Sequence, residues 1–98
     1  MCIRDSFNAC ITQACWQSTV ARVAAQVPVV TGEVGESDCA HGFVDRYFAW
    51  ADAHAISYLG WAWNPWECGK GPALITDWSG TPTAYGAGLR DHLATVAP

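Results

Sequence analysis

The sequence predicts an α/β fold with parallel strands, and three observations lead there. Apolar residues at helical spacing alternate along the chain with short apolar runs, in the order helix, strand, helix, strand, helix. The strand-like runs lack a polar face, as do strands buried on both sides in parallel sheets. The segment between the two runs is long enough for the helical, right-handed crossover that joins parallel neighbours.

Taken in order, residues 1–6 match the translation of a common sequencing-library transposon adapter. They are expected to be an assembly scar, leaving 7–98 as a partial domain whose natural start lies upstream of Phe7. Trp16, Val20, Val23 and Val27 fall at helical spacing, and Pro28 ends a helix predicted over 16–26. The β-branched residues after Pro28 predict a strand over 28–32, followed by a polar loop over 33–38. A helix follows over 39–54, with Phe43, Val44, Tyr47, Phe48 and Ala51 as its apolar stripe and Asp45, Arg46 and Asp52 on other faces. A second strand covers 56–63. A loop over 64–80, carrying Pro65, Gly69, Gly71 and Pro72, encloses the apolar run 73–75, and a last helix covers 83–96. The two strands should lie side by side with helices on one face. Two strands cannot close a barrel, and their outer edges need partners that this chain is not expected to offer.

Composition narrows the function. The chain has 98 residues, half of them hydrophobic, with a net charge of −4. There is no basic stripe, which argues against nucleic acid, and no apolar run long enough to span a bilayer. Setting Cys2 aside with the scar leaves Cys10, Cys15, Cys39 and Cys68, an even set without CxxC spacing. Such a set points to disulfides in an exported, extracellular protein. Of the three possible pairings we favour Cys10 with Cys15, closing a short loop before a helix, and Cys39 with Cys68, tying the loops after the two strands. Six tryptophans suggest a core meant for more chain than this.

Glu33 is the candidate functional residue. It ends a β-branched run between two glycines, and in parallel α/β folds the strand ends carry ligands and chemistry. The plainer alternative is a loop carboxylate pairing with a neighbour. Glu36 and Glu67 are expected to be solvated loop residues. His41, His54 and His92 lack metal-ligand spacing, so no metal or cofactor is expected. Without a Gly-x-Ser-x-Gly elbow a serine hydrolase is disfavoured. Gly86 and Gly88 are expected to permit close packing of the last helix. Trp16, Trp50 and Trp78 are expected to pack helices.

Three motifs carry a family resemblance. Pro28-Val29-Val30-Thr31-Gly32-Glu33-Val34-Gly35 resembles the seventh-strand signature of glycoside hydrolase family 5, the cellulase family. Ile56-Ser57-Tyr58-Leu59-Gly60-Trp61-Ala62-Trp63-Asn64 resembles the eighth strand, and the stretch from Leu74 through Asp77 and Trp78 to Gly86 resembles the closing loop and last helix. The resemblance implies the C-terminal fragment of a (β/α)8 TIM barrel: the last two βα units plus a preceding helix, out of about 250 residues. It implies a retaining β-glycosidase in which Glu33 is the nucleophile and Trp61 the floor on which a sugar ring stacks. Two further substrate-binding candidates stand beside it: Trp63, which strand alternation should point the same way as Trp61, and Trp66, which is either a further sugar platform or a lid over the disulfide. The acid/base partner stands in an Asn-Glu pair in this family, and no such pair occurs in the sequence.

The expected function is therefore that of a secreted endo-β-1,4-glucanase fragment, inactive alone, whose parent is a monomer acting on cellulose or a related β-glucan polysaccharide. Two other classes stand beside it: a carbohydrate-binding module gripping glucan through Trp61, Trp63 and Trp66, and a small disulfide-stapled structural domain.

Overall fold

The protein is described here by a computed structural model covering residues 2–4 and 10–96. Met1, Asp5 and Ser6 of the expected scar, and the expected start at Phe7, lie outside those residues. The elements are β1 (Cys2–Arg4), α1 (Gln13–Ser18), α2 (Val20–Ala24), β2 (Val30–Gly35), α3 (Gly42–Ala53), β3 (Ser57–Gly60) and α4 (Ala84–Val96). The strands form one parallel sheet in the order β1-β2-β3. The α/β class and the parallel pairing of the two expected strands are thus present. The sheet is open, and a barrel is not part of this structure.

The first expected helix is broken into α1 and α2 at Thr19. The Cys15 carbonyl accepts the Thr19 N–H at 3.1 Å, the Thr19 hydroxyl at 2.6 Å and the Ser18 hydroxyl at 3.1 Å. Hydroxyls that bond back to the preceding turn bend helices in this way. Trp16 and Val20 enter the core, whereas Val23 and Val27 do not. The Thr12 side chain caps α1 through the Cys15 N–H, and Cys10 is bonded to Cys15 across this turn.

Strand β2 runs on past the expected end at Gly32, because both neighbours extend its ladder. Glu33, Val34 and Gly35 pair with Cys2, Ile3 and Arg4, and Val34 pairs with Gly60 after a register shift. The edge of β2 therefore has a partner within the chain, contrary to expectation: the very segment read as a scar. An extended segment can fill such an edge through its backbone alone. Strand β3 stops at Gly60 rather than Trp63, since the Ala62 N–H turns away to the Pro72 carbonyl at 2.8 Å and Leu74 N–H bonds back to Ala62 at 3.0 Å. The Trp61–Ala62 peptide is cis.

The core lies between the sheet and α1 to α4. The stripe predicted on α3 is buried in full, and Trp50 joins it. Trp16 meets Tyr47 edge-on at 4.9 Å, and Phe48 stacks on Tyr58 at 4.6 Å. Such pairs add about 0.5–1.5 kcal/mol each beyond area burial. Three hydroxyl groups in the core are hydrogen-bonded: Thr31 Oγ1 lies 2.5 Å from Tyr47 OH, and Tyr85 OH donates to the Val34 carbonyl at 2.7 Å. Helix α4 packs closely because Gly86 has no side chain to strike the Leu74 carbonyl and Gly88 none to strike the His41 ring. Trp78, expected against the last helix, is instead 71% exposed. It rides on a turn that Asp77 holds outward, with Ser79 N–H on Asp77 Oδ1 at 2.9 Å, while Tyr85 and Leu89 do the packing.

Among the described residues the opposite sheet face is exposed at two apolar positions. Val30 and Leu59, which alternate with the core-facing Thr31 and Tyr58, are 54% and 60% exposed. Among the described residues no helix is long and apolar enough to cross a membrane.

All three tyrosines of the chain are held protonated beyond their ordinary range. Burial is the leading cause in each. At Tyr58 the hydrogen bond and charge of Asp52 add to it; at Tyr85 the Trp61 amide opposes it and Glu36 adds to it. In the unfolded chain tyrosine ionises near pH 10. Above about that pH the unfolded state binds fewer protons than the folded one, so stability falls as pH rises. The urea midpoint is expected to be lower at about pH 10.5 than at about pH 8, with tyrosinate absorbance appearing only on unfolding; tyrosinate in the native protein at about pH 10.5 would contradict the burial.

Candidate functional site

Parallel pairing puts the C-terminal ends of β2 and β3 side by side, and Glu33 and Trp61 lie in or next to these ends. Glu33 lies within β2, two residues before its end, and is half-buried. Val34, next along, carries the junction. Its carbonyl accepts the Trp61 N–H at 2.8 Å and the Tyr85 hydroxyl at 2.7 Å, so the end of β2, the exit of β3 and the first turn of α4 meet at one oxygen. Gly35 is required beyond it. A Cβ there would stand 2.6 Å from both the Trp61 carbonyl and the Pro72 side chain.

Trp61 and Trp66 face each other across this end of the sheet. Their ring centroids are 6.4 Å apart, with planes inclined at 55°, and they are 36% and 41% exposed. Two inclined rings with free surface form a corner that accepts the apolar C–H face of a sugar or another flat apolar group. Trp63 does not join them. It lines a separate apolar groove with Leu74, Ile75, Pro82 and Leu89, and lies over Gly80. The alternation that would align it with Trp61 requires a strand through residue 63, and β3 has already ended.

Both favoured disulfides are present, Cys10–Cys15 and Cys39–Cys68. The second joins the turn after β2 to the loop that carries Trp66. Cys39 adopts a left-handed backbone at φ 61°, a conformation costly for a residue with a Cβ. It is fixed from three sides: its N–H on the Glu36 carbonyl at 3.1 Å, its carbonyl under the Tyr85 N–H at 2.7 Å, and its sulfur in the disulfide.

Glu36 corrects the sequence reading. Expected in solvent, it is 6% exposed, and one carboxylate oxygen accepts the Phe43 N–H at 2.9 Å and the Val44 N–H at 3.2 Å. It therefore caps α3, satisfying two donors that a helix start leaves open and placing negative charge at the positive end of the helix dipole. The cap reaches in from six residues before the helix, so no local capping pattern announces it. Glu67 sits in solvent as expected, 2.7 Å from Lys70 with both side chains about three-quarters exposed.

His41 and His54 serve local contacts. His41 Nδ1 lies 2.6 Å from Asp45, and His54 donates to the Trp50 carbonyl at 2.7 Å while stacking on its ring. His92 was not grouped with other residues by the sequence, yet its Nε2 lies 2.8 Å from Asp52 Oδ2 and 2.9 Å from Tyr58 OH. Tyr58 in turn donates to Asp52 at 2.9 Å. This cluster fastens α3, β3 and α4 together; its members come from distant parts of the chain, and no spacing could have revealed it. Among the described residues no group of three or more His, Cys, Asp or Glu is placed to hold a metal ion.

The two loop glutamates should separate cleanly. Glu36→Ala is expected to cost about 1–2 kcal/mol of folding stability through loss of the cap, and Glu67→Ala less than about 0.5 kcal/mol, both from denaturant midpoints at constant slope. Equal costs would contradict the capping role.

Comparison with protein-family models, with curated proteins and with solved structures gives no match to this chain.

Proposed function

We propose that the chain is the C-terminal part of the catalytic domain of a secreted retaining glycosidase of the cellulase family, glycoside hydrolase family 5, acting on cellulose or a related β-glucan. The observation that carries this reading is the placement of Glu33 and Trp61 at the C-terminal ends of neighbouring parallel strands, tied through the Val34 carbonyl. That is where parallel α/β folds put their chemistry. The motif resemblance supplies the family. The exposed face at Val30 and Leu59 supports it too, because the remaining strands of a barrel would cover that face. The two disulfides suit export.

In this reading the ionised Glu33 carboxylate attacks the anomeric carbon and forms a glycosyl–enzyme bond. A second carboxyl group, about 5–5.5 Å away, protonates the leaving oxygen and then activates water to release the sugar. That second group belongs to the part of the domain before this chain. The isolated chain is therefore inactive, and it needs no cofactor. Trp61 holds the sugar ring that Glu33 attacks, and Trp66 extends the aromatic surface.

A carbohydrate-binding module would call for an antiparallel sandwich, and the parallel α/β sheet weighs against it. The two disulfides favour one second reading, a small stapled structural domain without a ligand.

The test is activity on a soluble β-glucan. The chain alone is expected to release no reducing sugar. Joined to its upstream coding sequence it should do so, with Glu33→Gln lowering kcat by about three orders of magnitude or more, as loss of a nucleophile does. Full activity of the Glu33→Gln enzyme would remove Glu33 from the reaction.

A further inference from the structure

The loop between β3 and the apolar run 73–75 is anchored at its base and again at its tip. At the base Ala62 pairs with Pro72 and Leu74. Trp66 lies beyond that base, and the tip is tied back by the Cys39–Cys68 bond and by the Gly69 N–H on the Ser37 carbonyl at 2.7 Å. The Trp66 ring itself lies on Gly71. A Cβ at Gly71 would come within 2.7 Å of the ring's Cε3, so the indole occupies the space a side chain would fill. Gly71 is buried beneath it. The opposite anchor is the turn at Cys39, fixed by Glu36 and Tyr85, and Tyr85 also bonds the Val34 carbonyl that holds the Trp61 N–H. The two rings are thus referred to one framework, Trp61 through Val34 and Trp66 through Cys39.

We propose that the Cys39–Cys68 disulfide and Gly71 position Trp66 against Trp61, and that in the resulting aromatic corner Trp66 binds the hexose ring of a β-glucan next to the ring that Trp61 holds for Glu33. The choice of ligand rests on the glycosidase reading; the positioning does not. The disulfide acts at a distance from the sugar and is a positioning element, while the rings make the contact. Stacking needs a ring held at a defined angle, and a tryptophan on a loose tip would lose ordering entropy on binding. The Cys10–Cys15 bond, at the other end of the core, has no part in the corner.

The experiment is nuclear magnetic resonance on the chain as it stands, with cellohexaose as the probe. The native chain should show cross-relaxation between the Trp61 and Trp66 indole protons and should bind the oligosaccharide. Cys39→Ser with Cys68→Ser, and separately Gly71→Ala with the disulfide intact, should each lose the cross-relaxation and weaken binding about tenfold, the equivalent of about 1.4 kcal/mol. Cys10→Ser with Cys15→Ser should retain both signals. The Gly71 variant keeps the test valid if the serine variant fails to fold. Unchanged ring contacts in the Cys39/Cys68 and Gly71 variants would overturn the positioning. Lost contacts with unchanged affinity would overturn the corner as the binding site. Lost contacts in variants, with no binding by the native chain, would uphold the positioning and overturn the glucan reading.

Discussion

The structure turns on the carbonyl oxygen of Val34. Both of its lone pairs are used, one by the Trp61 N–H at 2.8 Å and one by the Tyr85 hydroxyl at 2.7 Å. The first bond continues the parallel ladder one residue past Gly60 and fixes where the chain leaves the sheet. The second ties the start of α4 to the same point, inside a fully buried region. A buried carbonyl left without partners costs about 1–3 kcal/mol, so the arrangement resists rearrangement from either side. Glycines at 35, 60 and 86 make it sterically possible, since a side chain at any of them would strike the neighbouring element.

Around that oxygen the chain builds a connected framework. Tyr85 also donates its N–H to Cys39, whose turn leads to α3 under the Glu36 cap, so helix starts and strand ends support each other. The aromatic cluster of Trp16, Phe43, Tyr47 and Trp50 fills the space behind. Glu33, Trp61 and Trp66 remain partly exposed on backbone tied to this framework. The sheet face at Val30 and Leu59 and the β3 edge, by contrast, expose the apolar surface and backbone that parallel sheets normally cover.

Much of this was legible in the sequence. The α3 stripe, the parallel strand pair and both disulfides follow from local periodicity and from loop positions between elements. What escaped was non-local. Glu36 caps a helix from six residues away; Asp52, Tyr58 and His92 converge from a helix, a strand and another helix; the pairing of β1 with β2 joins segments with no pattern in common. The break at Thr19 was legible in principle, since Ser18 and Thr19 both compete for the Cys15 carbonyl, but hydrophobic spacing masked it. The strand expected through Trp63 stops early because Ala62 turns the chain, and Trp78, expected against the last helix, is held outward by the Asp77 turn. For the candidate site, position and residue type were visible in Glu33 and Trp61; the partner of Trp61, and what holds it there, needed the fold.

The most direct test of the proposed function is to read the source DNA upstream of Phe7. An open frame that encodes further βα units, with an Asn-Glu pair at a strand end, is the expected result. It would supply the acid/base for which Glu33 is the nucleophile. A native start codon near Phe7 with no barrel before it would contradict the proposal, and Glu33 would then be a structural carboxylate in a small stapled domain.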